Sequence, residues 1–91
     1  MAKLVIEVVT SQFSDFSEMA LEIARKVAND FDDVEVKEIK AEEPEGKEII
    51  EYLGIDSFPA ILIDGEPHFM GVPREENLRA AVREFLSEKN E

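Results

Sequence analysis

The chain contains no cysteine and no tryptophan. Without cysteine there can be no disulfide scaffold, no thiolate nucleophile and no cysteine-based metal centre. Only one histidine occurs among the 91 residues, so a multi-histidine metal site is excluded as well. Basic residues are scarce. Ten Lys and Arg stand against 22 Asp and Glu, for a formal net charge of −12. Such a balance argues against binding nucleic acid, whose phosphates need cations to displace their counterions. It argues equally against anionic membrane surfaces. No apolar run approaches the ~20 residues needed to span a bilayer. The N-terminal stretch Met1–Glu7 meets a charge too early to supply the apolar core of a secretion signal. A cytoplasmic protein is expected, as a single domain over 1–91.

What is present is enough apolar material for one core, 44% of the residues. Leu4 to Val9 is almost wholly apolar and mostly β-branched, which describes a strand covered on both faces. Thr10 to Ser14 is polar and turn-compatible. From Asp15 the period changes: Phe16, Ala20, Ile23, Ala24, Val27 and Phe31 share one helical face. Ser14 and Ser17 compete as N-caps, and Asp15 with Glu18 fits a capping box. Val34, Val36 and Ile39 suggest a more exposed second strand. Pro44 suits a first helical position, Ile49, Ile50 and Leu53 point inward, and Gly54 terminates the short helix. Pro59 to Ile63 is a third strand, apolar on both faces. Asp64-Gly65 signals a tight hairpin into Glu66–Met70, where Pro67 demands an edge. Gly71-Val72-Pro73 opens a last helix with Leu78, Val82, Phe85 and Leu86 as its stripe, and the polar tail after Leu86 is expected to fray.

The order is βαβαββα. A right-handed parallel crossover joins the first two strands. The two most apolar strands belong in the middle, which gives a four-stranded mixed sheet of order 2-1-3-4. The first and last helices cover one face and the short helix the other. This α/β arrangement is that of the minimal thioredoxin or glutaredoxin fold. Glu7 to Ala20, with Ser14-Asp15-Phe16-Ser17 at its centre, resembles the strand–loop–helix of the small archaeal glutaredoxin-like thioredoxins. Ser57-Phe58-Pro59-Ala60 resembles the cis-proline loop of that family, and Asp64-Gly65, Phe69 and Gly71-Val72-Pro73 resemble its ending. Nearly the whole chain is covered.

The resemblance implies a C-x-x-C motif in which the first thiolate attacks a disulfide and the second cysteine resolves the product. Here the two slots hold Ser14 and Ser17, which have neither the acidity nor the redox couple. Asp15 takes the place of the usual proline, and an anion there would raise the pKa of a neighbouring thiol. Val8 stands where some thioredoxins carry a buried acid. As helix caps the serines have an ordinary structural role; as relics they mark a removed redox pair, and the two readings are compatible. Serine-hydrolase chemistry would need a base, and His68 on the expected edge strand is poorly placed for it.

The resemblance also implies a cis Phe58–Pro59 bond and pairing of the Phe58 backbone with an extended peptide. Phe13 either joins Phe58 in an apolar patch beside that loop or packs beneath it; Phe16 is expected to be buried or half-buried. The Asp30, Asp32 and Asp33 cluster lacks the glycine and glutamate of a calcium loop and reads as a solvated helix end. His68 and Phe69 alternate on the edge, so that one faces water. The expectation is a redox-inactive thioredoxin-like monomer without cofactor, binding neither glutathione nor nucleic acid nor membrane. It is either a cysteine-to-serine variant, a naturally silent member or a designed domain, since clean binary patterning suits design.

Overall fold

The computed structural model describes residues 4–89. Four strands, β1 (Leu4–Thr10), β2 (Val34–Lys40), β3 (Ala60–Ile63) and β4 (Glu66–Met70), alternate with α1 (Ser17–Ala28), α2 (Pro44–Leu53) and α3 (Glu75–Lys89). The sheet order is β2-β1-β3-β4. β1 runs parallel to β2, in register from Leu4↔Val34 to Thr10↔Lys40, and antiparallel to β3. The central position of β1 and β3 follows from their sequence. Apolar side chains on both faces can be buried only if layers cover both.

Those layers form two cores. Leu4, Ile6 and Val8 of β1 join Ile61 and Ile63 under α1 and α3, against Ala20, Leu21, Ala24, Val27, Leu78 and Val82. Val9, Ala60 and Leu62 face the other way with Ile39 and Ile55, beneath Ile49, Ile50 and Leu53 of α2. Gly54 ends α2 in the left-handed conformation at φ +69°, which a side chain would strain.

Two local expectations are corrected. The chain after Leu86 does not fray at once: α3 continues to Lys89, whose ammonium pairs with Asp64 and ties the last turn to the β3–β4 hairpin. Asn90 and Glu91 lie outside the described residues, as do Met1 to Lys3 of the N-terminal stretch. The alternation of β4 is broken by a register shift at Ile61/Leu62, which leaves Phe69 opposite Ile61 but Pro67 opposite Leu62. The extra residue is His68. Its ring lies edge-on to Phe85 of α3 at 4.9 Å and 5.9 Å from that of Phe69, so it is an exposed side chain with aromatic partners. Asp30, just past the end of α1, is exposed as expected of a solvated helix end and also accepts an ion pair. Arg79 of α3 spans Asp30 and Glu75 at 2.8 Å each, and Lys26 reaches Glu75 at 3.2 Å. The Arg79 and Lys26 hydrogen bonds lower the Glu75 pKa, and Glu75 with Asp30 raises that of Arg79.

Candidate functional site

The site lies at the C-terminal end of β1, where the chain turns from Thr10 into α1. The loop is built by hydroxyl groups. Ser17, only 7% exposed, accepts the Ser11 N–H at 3.1 Å and donates to the Ser11 carbonyl at 3.4 Å. The Ser11 hydroxyl donates to Glu42 at 2.8 Å and accepts the Phe13 N–H at 3.2 Å. Glu42 also accepts the Gln12 N–H at 3.3 Å. One carboxylate from the β2–α2 connection therefore pins the β1–α1 loop by a hydroxyl and a backbone amide. Beside it the Thr10 hydroxyl donates to Glu38 at 2.8 Å.

This wiring displaces the expected helix cap. Residues 14–17 form a turn first, with the Ser17 N–H on the Ser14 carbonyl at 3.4 Å. Helix α1 then begins with Phe16 as its N-cap and no side-chain capping bond. Ser14 and Ser17 do not cap it, and the Asp15–Glu18 box is not made. The hydroxyls that capping would need are engaged by the loop and by Phe58. At the helix mouth Phe16 also leaves the core stripe: it is 58% exposed, not half-buried as the periodicity suggested. Leu21, which the stripe omitted, is buried instead.

Ser14 is half-buried and donates its hydroxyl to the Phe58 carbonyl at 3.3 Å. The Phe58–Pro59 peptide bond is cis, Pro59 is buried, and its carbonyl accepts the Gly71 N–H at 2.7 Å. The fold thus brings together the four residues Phe13, Ser14, Phe58 and Pro59 from two distant stretches. Phe13 is 85% exposed and shares with Phe16, Phe58, Ser14 and Asp15 an open cleft of about 370 Å³. It does not pack under the loop. A second cleft of about 450 Å³ runs along the other flank of Ser14 and Ser17 and is rimmed by Glu18, Glu38, Glu42 and Glu43, with Lys40 as its one base. Both serine protons are directed at carbonyl oxygens and not at a base, and His68 rests on Phe85. Among the described residues, neither Ser14 nor Ser17 has a basic side chain as the hydrogen-bond acceptor of its hydroxyl.

The Glu42 pKa is lowered, chiefly by the Ser11 hydroxyl and further by the Gln12 amide, against an opposing effect of burial. A lowered carboxyl stabilises the fold above its unfolded pKa, and that contribution is lost as pH falls through the folded value. In urea titrations across the acid range, Glu42→Gln should show a smaller loss of stability on acidification below about pH 4.5 than the parent chain. An unchanged pH profile would mean that the carboxylate is not holding the loop. In the sequence Glu42 is one of two acids ahead of Pro44. Nothing in its spacing signals the contact, which depends on how the two loops meet.

No family model matches the chain. It is 37% identical over 87 residues to a thioredoxin from Methanocaldococcus jannaschii, a match covering 94% of this chain and all of that protein. The chain belongs to the thioredoxin family. Solved structures show the same fold in more distant sequences. A thioredoxin variant from Halobacterium salinarum superposes with a TM-score of 0.74 at 17% identity, over 91% of this chain and 74% of that one. A designed protein superposes with a TM-score of 0.68 at 29% identity, over 92% of this chain and 81% of its own. Within this thioredoxin-family chain, Ser14 and Ser17 occupy the helix-entry turn facing the Phe58–Pro59 loop. No cysteine anywhere in the sequence could take over their place in a redox pair.

Proposed function

We propose that this thioredoxin-family chain does not exchange disulfides and acts as a non-catalytic module that docks extended peptide segments against Phe13, Phe58 and Pro59. The observation that carries the reading is the 85% exposure of Phe13 in the same cleft as Phe58 and Ser14. A large aromatic side chain left in water beside a second one is a natural anchor for a partner. Ser14 and Ser17 are the vacant slots of the redox pair and have no catalytic task. No cofactor is needed, and the carboxylates around the site disfavour glutathione, whose own groups are anionic. The module works in the cytoplasm and is a monomer at low ionic strength. No helix among the described residues is long and apolar enough to cross a membrane.

A second reading, an engineered or designed thioredoxin-fold domain, draws support from the absence of both cysteine and tryptophan and from the 29% identity to a designed protein. The test of docking is a nitrogen-15 NMR titration with a panel of extended peptides. Amide shifts should concentrate in residues 11–16 and 56–60, and Phe13→Ala should weaken binding about tenfold, as expected for an aromatic anchor. If no peptide in the panel perturbs these amides at millimolar concentration, the docking reading fails and the purely structural one stands.

A further inference from the structure

We propose that β2 pairs antiparallel with β2 of a second copy of this chain, about a two-fold axis at Val36, joining two sheets into one of eight strands.

β2 is an edge strand of seven residues bonded only to β1. Which of its backbone groups remain open follows from two hydrogen bonds. The Asp33 carbonyl accepts the Leu4 N–H at 3.1 Å, and the Ala41 N–H donates to the Thr10 carbonyl at 2.7 Å. The amide and carbonyl of one strand residue point to the same edge, and successive residues alternate. Odd-numbered residues therefore turn inward to β1. Val34, Val36, Glu38 and Lys40 present their N–H and C=O groups to the open edge. Open edges of this kind template further pairing.

Symmetry then restricts the register. In a sheet continued across a two-fold axis, opposed residues must lie on the same face, so the axis passes through a residue. Only three registers overlap at least five residues of β2. Centring on Lys37 sets that lysine against its own copy. Centring on Glu38 sets two carboxylates together. Centring on Val36 opposes valine to valine, places Glu35 against Lys37 twice and sets Val34 against the exposed Glu38 at the two ends, with no like charges directly opposed. Like charges directly opposed destabilise a strand pair and opposite charges support it, so the Val36 register is selected by charge complementarity. Glu35 and Lys37 are exposed, and Lys37 already meets Glu45 of α2 at 3.1 Å, which leaves it between two acids. On the other face, the half-buried Val36 and its copy extend the apolar layer under α1 across the seam, and Glu38 of each chain lies opposite Val34 at its margin.

The net charge of −12 per chain opposes the approach of two copies. Salt screens that long-range repulsion over about 10 Å at 0.1 M, while the backbone bonds and the valine contact persist. The expected behaviour is a monomer at low ionic strength and a dimer that strengthens with salt. With only five residues overlapping, the interface falls below the standard size and is weak.

Sedimentation equilibrium on the whole chain, up to about 1 mM, the upper end of weak association, tests this at low and high sodium chloride. Glu35→Lys should weaken the dimer about tenfold by opposing lysine to lysine, although it moves the net charge from −12 to −10 and lowers the overall repulsion. Lys37→Glu should weaken it as well, and an equimolar mixture of the two variants should recover association as a heterodimer, because each opposed pair then carries opposite charges. Val36→Pro removes an N–H that only the second copy uses, so it should abolish the dimer while circular dichroism shows the fold retained. Monomers throughout in high salt would overturn the proposal. So would a Glu35→Lys chain that associates as well as the parent, or a mixture that does not recover.

Discussion

The double substitution Ser14→Cys and Ser17→Cys is expected to turn a chain without cysteine into one that forms an intramolecular disulfide and reduces test substrates. The parent chain has no cysteine and is expected to add nothing to dithiothreitol in a disulfide-reduction assay. The Ser17 N–H bonds the Ser14 carbonyl, which makes 14–17 a turn with its end Cα atoms closer than about 7 Å. That separation lies within disulfide reach. The exposure of the two positions already divides the roles. Half-buried Ser14 faces the open cleft and would carry the attacking sulfur; Ser17, buried against Ser11, would carry the resolving one. Two features hold the activity down. Asp15 places an anion next to the attacking sulfur, and the Phe58 carbonyl now bonded by Ser14 would face a thiolate with its negative end. Adding Asp15→Pro should therefore lower the thiol pKa by about one unit from its value in the double variant and raise the rate, both followed by thiolate absorbance and turnover. A folded double variant that closes no disulfide, or closes one without turnover, would show that the helix entry is not a dormant redox centre.

Gly46→Ala is expected to be among the most damaging single substitutions in the chain, by about 3 kcal/mol, at the upper end of overpacking costs. Helix propensity predicts the reverse, a gain of ~1 kcal/mol for alanine inside a helix. The contradiction is resolved by what lies above the residue. A Cβ on Gly46 would sit 2.0 Å from the Lys40 carbonyl oxygen, 2.7 Å from its carbon and 3.0 Å from the Ala41 Cα. All three are backbone atoms at the end of β2, where the Lys40 carbonyl also accepts the Glu43 N–H. They cannot swing aside as a side chain would. Relief must come from moving α2 away from β2, which also draws Glu42 off Ser11 and loosens the β1–α1 loop. Urea unfolding measures the loss, and the Ser11 to Phe13 amide signals report the loop. A neutral or stabilising effect would mean that α2 has room the structure denies it.

These two positions mark how far the sequence could be read. The layering was legible because β1 and β3 are apolar at nearly every residue, which only a doubly covered strand explains, and Pro67 identified an edge by its missing donor. Gly54 and Asp64-Gly65 were legible because each needs a backbone geometry that few residues adopt. Gly46 was not: its constraint comes from a strand end brought near by the fold, and a lone glycine in a helix carries no mark of it. The entry to α1 failed for a different reason. Ser and Asp are good caps in isolation, but here the Phe58 carbonyl engages the Ser14 hydroxyl and the Ser11 backbone engages that of Ser17, so neither is left for capping. The resemblance to the family left Phe13 either beside Phe58 or beneath the loop, a choice that depends on the tertiary packing of the loop, and the exposure of Phe16 depended on where the helix begins. The β4 alternation misled because a register shift leaves no trace in a two-residue period.

Asp64 has a consequence for how the molecule can be handled. Its backbone N–H bonds the Val5 carbonyl, its carboxylate accepts the Val5 N–H at 3.1 Å, and the same carboxylate meets Lys89. Val5 and Lys89, near the two limits of the described residues, are thus gathered at one corner. Ser14 lies past the opposite end of β1, about 20 Å away by the rise of a seven-residue strand. A surface anchor or dye attached at this corner would leave the Phe13 cleft pointing outward.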